Sequence, residues 1–292
     1  MQQALPITFG VKVAHWAIGL EQARRRLSAV ELPVQFGGAV GVHSGWDNLG
    51  LEWMDALAER LGLAVPVLPW HTDRYPIHAL GTALDAVAGA AEKIALDVSL
   101  LTQTEVGEVA EPSAPGMGES SSMPHKRNPV RSALIRGAAR QVHGHTSVLI
   151  NAAAQPLERG LGEWHAEWAP LMESALLVEG ALEQVAVLLE GLEVYPDNMW
   201  RNLAATGGGI MAEPVARLLA PTLGVEKAKA VSAEAAETSR REARPYSEVL
   251  AEHSDVKGTV DPDALSNACD PALYLGSSAA QVTRAKKWLA AQ

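Results

Sequence analysis

The sequence predicts an all-α protein in which a long helical bundle is followed by a smaller helical domain. Three observations predict it. Apolar residues recur in alternating steps of three and four over three long segments, aromatic residues make up only 5% of the chain, and most prolines and many glycines fall between the periodic segments. The 292 residues, 48% of them hydrophobic, suffice for one large domain or two modest ones.

The first stripe is Val13, Trp16, Leu20, Ala23, Leu27 and Val30. The second is Ile77, Leu80, Leu84, Val87, Ala91, Ile94, Val98 and Leu101, and the third is Trp164, Trp168, Leu171, Ala175, Val178, Leu182, Val185 and Leu189. Such steps put each set on one face of a helix and imply nearly parallel or antiparallel packing. A shorter helix around Leu51 to Leu61 and another after Pro129, carrying Val130, Leu134, Val142 and Leu149, complete the bundle. Pro69, Pro76, Pro112, Pro115 and Pro156 mark its loops, and Pro170 a helix start or kink. Gly81, Ala83, Ala86, Ala88, Gly89, Ala90 and Ala95 lie off the second stripe, where small side chains let further helices approach; other subunits are their expected source, with simple helix propensity of alanine as the alternative. Beyond Glu193-Val-Tyr-Pro196 the pattern shortens to helices around Asn198 to Leu203, Ile210 to Leu219, Val225 to Arg241 and Tyr246 to Glu252. Gly207-Gly-Gly209, Gly224 and Gly258 separate them, so the predicted domains are 1–193 and 194–292.

The formal charge of −10 argues against nucleic acid or an anionic membrane as a partner, so any bound anion must be drawn by a local cluster of cations. Cys269 is the only cysteine, which fits a reducing, cytoplasmic setting. Nothing reads as a signal peptide or a membrane span, and no metal or cofactor motif is present. His143 and His145 are two apart on a predicted helix and point about 200° apart, so they cannot share one metal.

The richest segment is Gly116-Met-Gly-Glu-Ser-Ser-Ser-Met-Pro-His-Lys-Arg-Asn-Pro129. Asn128 reads as an N-cap and Pro129 as the first helical residue, so the loop is predicted to end at the positive end of a helix dipole. Free backbone N–H groups there, with Lys126 and Arg127, are expected to attract a carboxylate, while Ser120, Ser121 and Ser122 offer donors or a proton acceptor. Ser-Ser-Ser or Lys-Arg by itself is no more than a solvated turn; the whole string is more specific.

That string resembles the signature loop of the fumarase/aspartase superfamily, Gly-Ser-Ser-x-Met-Pro-x-Lys-x-Asn-Pro, departing only at Glu119, where the family has glycine. The version ending His-Lys-Arg-Asn-Pro is shared by adenylosuccinate lyases and by 3-carboxy-cis,cis-muconate cycloisomerases, the lactonizing enzymes of protocatechuate breakdown. Pro69-Trp-His-Thr-Asp-Arg74, Leu101 to Gly116 and Glu158 to Trp168 are similar to cycloisomerase segments, and the resemblance runs from Gln2 to Gly276. Adenylosuccinate lyases carry a glutamate four residues after the loop's last proline, where it tunes a catalytic histidine; here that residue is Ala133.

The resemblance implies a superfamily-type bundle, a homotetramer, and a cofactor-free, metal-free cycloisomerase of carboxymuconate. Ser120 would be the proton-transfer group, and Lys126 and Asn128 would hold the charge that develops on a substrate carboxylate. Ser121, Ser122, Met123, His125, Arg127, Thr72, Arg74 and Arg159 would contact substrate. His71 and His125 are read equally as substrate contacts or structural hydrogen-bonding groups, and His165 also as a packed histidine. The alternatives are an adenylosuccinate lyase, an argininosuccinate lyase, or a catalytically silent helical protein. Members of the family carry an N-terminal domain and then a Thr-His or Thr-Trp pair before a stretch like Gln2-Gln-Ala-Leu-Pro-Ile-Thr-Phe-Gly10; Met1 stands almost on that stretch. The expectation is a chain without that first domain, and little turnover from it alone.

Overall fold

The computed structural model describes residues 2–112, 118, 122–123 and 125–292. In chain order the helices are α1 (Phe9–Ser28), α2 (Leu49–Leu61), α3 (Tyr75–Leu101), α4 (Val130–Asn151), α5 (Glu163–Ala166), α6 (Trp168–Glu190), α7 (Pro196–Ala204), α8 (Ala212–Leu223), α9 (Val225–Glu242), α10 (Tyr246–Glu252), α11 (Pro262–Cys269) and α12 (Ser278–Ala290). Two two-residue strands, β1 (Val109–Ala110) and β2 (Glu193–Val194), pair with each other.

The chain divides into two compact units. One comprises Trp16–Thr102 and Val109–Glu193; the other gathers Met1–His15, Gln103–Glu108 and Val194–Gln292. The division after residue 193 lies where the sequence pattern changes, but two earlier segments also group with the C-terminal helices. Asn198 Nδ2 donates to the Gly107 carbonyl, and Asn202 Nδ2 donates to Val106 O at 2.8 Å and Glu108 Oε1 at 2.9 Å, which ties 103–108 to α7. Gln3 Nε2 likewise donates to Asn202 O at 2.6 Å.

In the bundle unit α3 is the central rod. Gly81, Ala83, Leu84, Val87, Ala88, Ala91, Ile94, Ala95 and Val98 are buried, more than one stripe's worth. Its small residues serve this chain first: a methyl group on Gly81 would stand 2.6 Å from Leu149 Cδ1 of α4. The expectation that this face waits for other subunits is thus corrected in part, because α4 already packs on it. The pairs Thr146 Oγ1 to Gly81 O, His143 to Asp85 and Arg136 to Ser99 show α4 descending as α3 ascends, so the two are antiparallel. Arg131 with Gln184 and His145 with Glu173 make α6 antiparallel to α4 in the same way.

α6 does not bury the stripe its sequence suggested. Leu171 is half-buried and Val178 and Val185 face inward as expected, but Ser174, Ala181 and Leu188 complete the buried face while Ala175, Leu182 and Leu189 lie outside. The helix is apolar over more than half its circumference, so two registers compete, and contact with α4 selects the one that lets small Ser174 and Ala181 approach. The rejected half leaves Met172, Leu176, Leu182 and Leu189 exposed. α4 behaves similarly: Ser132, Ile135, Ala139, Val142, Thr146 and Leu149 are buried, and Leu134 is 53% exposed.

The start of α3 is pinned to the start of α6 by a buried fork. Arg74 Nε and Nη2 donate to Glu167 Oε1 and Oε2 at 2.9 and 2.6 Å, with both side chains about 5% exposed.

In the other unit Met211, Val215, Leu219, Ala228, Val231, Ala235, Leu250 and Val256 form the core, with Tyr246 buried among them. Tyr246 Oη shares a 2.7 Å hydrogen bond with Ser232 Oγ, and burial pushes its phenol up to about 12. The Gly207-Gly208 turn leads into a short 3₁₀ segment, Gly209–Met211; both glycines have positive φ, and a side chain on Gly207 would meet Ser239 Oγ at 2.7 Å. This is a packing turn. α11 and α12 had no counterpart among the predicted helices: α11 is short and capped locally by Asp261, and α12 is a 13-residue helix whose apolar stripe is only Val282, Ala285 and Leu289.

Two outcomes follow from this packing. Arg74→Met should cost about 3–5 kcal/mol by stranding a buried carboxylate, and Arg74→Met with Glu167→Leu should restore most of it, as read by denaturant unfolding. His143 donates toward Asp85 at 2.6 Å and Glu92 at 3.2 Å, and these bonds, Asp85 first, raise its pKa against partial burial. A raised folded value means that its stabilisation is fully present below the unfolded value of about 6.5 and is lost as pH rises through the folded one. Wild type should therefore exceed His143→Leu in Tm most at about pH 6 and least at about pH 9, as followed by circular dichroism.

Candidate functional site

The loop that precedes α4 is held from below by a carboxylate. α4 begins at Val130, one residue later than expected, with Pro129 at its N-cap position. Asn128 does not cap it. Instead its backbone N–H and its side-chain amide both donate to Gly118 O, at 2.8 and 3.2 Å. Gly118 has φ +77, and a side chain there would stand 2.7 Å from Asn128 O, so only glycine closes the loop base this tightly. The true cap is Glu111, which is 9% exposed. Its Oε2 accepts from Arg131 N at 2.9 Å, and its Oε1 accepts from Ser132 N at 2.8 Å and Ser132 Oγ at 2.6 Å.

This overturns the expectation of free N–H groups at the helix start. Val130 N donates to Asn128 O and Ala133 N to Pro129 O, so all four leading donors are occupied. The helix dipole persists, but Glu111 has already answered it with a negative charge.

The loop cations divide sharply. Arg127 turns back to the frame: Nη2 donates to Glu111 O at 2.6 Å and Glu193 Oε1 at 2.7 Å, and Nη1 to Glu193 Oε2 at 3.3 Å. Lys126 is exposed, its N–H bonded to Met123 O at 3.0 Å, and its ammonium has no partner among the described residues. Ser122, Met123, His125 and Asn128 are also exposed. Ser120 and Ser121, with Glu119, lie outside the described residues. Ala133 sits exposed on the first turn of α4, where it can orient nothing.

A second cluster gathers Trp70, His71, Thr72, Arg74, Arg159, Trp164 and Glu167. Arg74 is consumed by Glu167 and by Trp70 O, and its guanidinium lies 4.8 Å from the Trp70 ring centre, so within this chain it bears a structural load rather than facing a ligand. Arg159 is half-buried, with its guanidinium 3.8 Å above the Trp164 ring; burial first, then the nearby Arg74 charge, lower its pKa without discharging it. Leu157 and Arg159 both adopt positive φ, a costly backbone state for residues other than glycine. His71 is buried, with Nε2 at 3.2 Å from Glu158 O, and burial followed by the Arg159 charge lowers its pKa, favouring the neutral ring. Thr72 is half-buried between them. His165 is exposed, with its ring beside those of Trp164 and Trp168, so it is not the buried, packed histidine considered for it. His143 and His145 diverge to α3 and α6 respectively, and no group of three metal-ligating side chains occurs among the described residues.

The two clusters do not meet. Loop residues Lys126 to Asn128 precede the first turn of α4, whereas Thr72 and Arg74 adjoin the segment after its last turn through the Asp73–Ala154 bridge. The 22 residues of α4 separate them by about 33 Å. Sequence reasoning missed Glu111, Glu193 and Glu167. Each is an unremarkable acid in sequence, and only the fold shows what it holds.

The comparisons agree with this architecture. Residues 1–144 match the Lyase family. The chain is 44% identical over 288 residues to a 3-carboxy-cis,cis-muconate cycloisomerase of Pseudomonas aeruginosa, an alignment covering 98% of this chain and 63% of that protein. It is 43% identical over 292 residues to a nitrosuccinate lyase of Streptomyces davaonensis, covering 97% of this chain and 62% of that one. A solved structure, the 3-carboxy-cis,cis-muconate lactonizing enzyme from Pseudomonas putida, superposes with a TM-score of 0.91 at 42% identity over 99% of this chain and 65% of its own. The chain thus spans just under two thirds of the length of these relatives. Among the described residues no helix is long and apolar enough to cross a membrane. With its loop, its antiparallel bundle and these relatives, the chain belongs to the fumarase/aspartase superfamily.

Proposed function

We propose that this chain carries the central catalytic machinery of a cytoplasmic, homotetrameric cycloisomerase that interconverts 3-carboxy-cis,cis-muconate and 4-carboxymuconolactone without metal or cofactor. The observation that carries this reading is Lys126: its ammonium is exposed and has no partner among the described residues, while Arg127 beside it is spent on the frame. Adding a carboxylate across a double bond conjugated to a second carboxylate drives charge onto the second, giving an enolate-like intermediate. Lys126, with Asn128, would hold that charge, and preorganised donors of this kind supply a few kcal/mol each. Ser120 would exchange the proton at the adjoining carbon, its alkoxide favoured by the nearby cation. Ser121, Ser122, Met123 and His125 would line the substrate. In the reverse direction the leaving carboxylate, with a pKa of about 4, departs unprotonated. A general acid is dispensable, which agrees with Ala133.

Thr72 and Arg159, about 33 Å away along α4, cannot reach the same substrate within one chain. On this reading they serve the site of a neighbouring copy, and the exposed Met172, Leu176, Leu182 and Leu189 of α6 supply the surface through which copies meet.

A second reading is favoured by the 43% identity to nitrosuccinate lyase. Eliminating nitrite from a nitro-substituted succinate also expels a stable anion next to a carboxylate, so Ala133 suits it equally. Adenylosuccinate cleavage is disfavoured because it expels an amine-type group that needs an acid.

Incubating the protein, with this chain extended to the full length of its relatives, with carboxymuconate, nitrosuccinate and adenylosuccinate separately, and following ultraviolet absorbance and released nitrite, decides among them. Loss of carboxymuconate absorbance is expected; nitrite release alone would promote the second reading, and fumarate from adenylosuccinate alone would sink both. On the preferred substrate Ser120→Ala should retain less than about a tenth of the wild-type rate and Lys126→Met should lose roughly 10²–10³ in kcat. Coexpressed Lys126→Met and Arg159→Met chains should regain activity that neither has alone, since mixed assemblies restore some intact sites. Absence of any recovery in mixed assemblies would count against a site shared between copies.

A further inference from the structure

We propose that Glu111 is a positioning residue for the loop: it fixes Lys126 and Asn128 in space by joining the loop's C-terminal arm to the first turn of α4. This rests on the functional reading above only for what Lys126 and Asn128 then do. Glu111 acts twice. Its carboxylate takes the backbone N–H groups of Arg131 and Ser132 and the Ser132 hydroxyl, and its own carbonyl takes the Arg127 guanidinium. Arg127 is held from a second side by Glu193, so residue 127 is fixed between two acids while its neighbour Lys126 points to solvent.

On the far side Asn128 is fixed by two hydrogen bonds to Gly118 O. Every residue from 127 to 132 apart from Pro129 therefore donates a hydrogen bond to another part of the chain. The chain of contact runs from a buried side chain on the frame to the exposed cation. A carboxylate at the helix start also offsets the dipole there, so a substrate anion finds its net attraction at Lys126 rather than at the helix end. Glu111 thus sets both where the cation stands and how strongly the surroundings compete with it.

Amide hydrogen exchange on the 292-residue chain, and steady-state kinetics on the same chain extended to the full length of its relatives, test this. Glu111→Ala should speed exchange roughly tenfold or more at the Lys126 and Asn128 amides as well as at Arg131 and Ser132, while the interiors of α3 and α6 stay unchanged. Arg127→Met leaves the carboxylate on α4, so it should speed exchange at Lys126 and Asn128 but spare Arg131 and Ser132. If Glu111→Ala affects only the first turn of α4, or Arg127→Met leaves the loop amides as they were, Glu111 is a helix cap alone and the proposal is overturned. In turnover, Glu111→Gln should lower kcat roughly tenfold with KM unchanged or reduced, because a negative charge beside the anion site is gone. A rise in KM at constant kcat would also overturn it. Should the wild-type protein at the full length of its relatives consume none of the three substrates, the functional reading fails, and the exchange comparison still decides the role of Glu111.

Discussion

The close antiparallel contact of α3 and α4 is the constraint on which the rest of this structure depends. It is possible because α3 presents Gly81, Ala88 and Ala95 where a larger residue would hold α4 away, and because α4 answers with Ser132, Ala139 and Thr146. Two long helices in close register make a rigid rod, and a rod has two ends. The loop and Lys126 fall at one, the Arg74–Glu167 fork and Arg159 at the other. What the bundle gains in definition it loses in convergence, since no bend brings the ends together.

That geometry explains why polar residues of one chain carry such different loads. The protein is acidic overall, yet its cations near both candidate clusters are largely enlisted as structure: Arg127 by Glu111 and Glu193, Arg74 by Glu167. The Arg74–Glu167 pair is buried, so it contributes little net stability over a well-packed apolar alternative but is costly to break, whereas the exposed Arg127–Glu193 pair adds little to stability; both fix geometry more than they stabilise. Lys126 is the exception at the loop. Its exposed ammonium has no partner among the described residues, and under the proposed function it is the group that meets the substrate.

Much of this was legible in the sequence, and the part that was not has a common cause. The α3 stripe was readable because one helix face is apolar and contiguous. α6 was misread by one residue at Ala175, Leu182 and Leu189 because it is apolar on two adjoining faces, and periodicity alone does not say which face a partner takes. At the site, the loop string drew attention to its cationic residues, and His71 proved buried with Nε2 against Glu158 O. Asn128 was misplaced because good N-cap chemistry is a local preference, and a carboxylate 20 residues upstream overrode it. Glu111 and Glu193 were invisible for the same reason: nothing in a one-dimensional pattern distinguishes an acid that will fold back onto a helix from one that will face water. Neither Ser120 nor Ser121 falls within the described residues, so their expected roles rest on the string alone.

The leaving group links these observations to chemistry. In a superfamily whose reactions create negative charge beside a carboxylate, the common requirement is a fixed cation with little competition, and Glu111 removes the helix end as a competitor. What varies is the departing group. One that leaves as an amine must receive a proton, so an acid and the residue that tunes it must be built next to the loop. One that leaves as a carboxylate or as nitrite already carries its charge comfortably, and that position is released from duty. Ala133 is exposed, unbonded through its side chain and on the first turn of the loop's own helix, the place such a tuning residue would occupy. Under the proposed function the alanine favours anion-expelling over amine-expelling reactions, while the choice between a lactone-forming carboxylate and nitrite would fall to contacts with the remainder of the substrate. Those contacts involve the loop's other side chains and whatever residues a neighbouring copy brings to it, and for this reason relatives of nearly equal identity can carry different names.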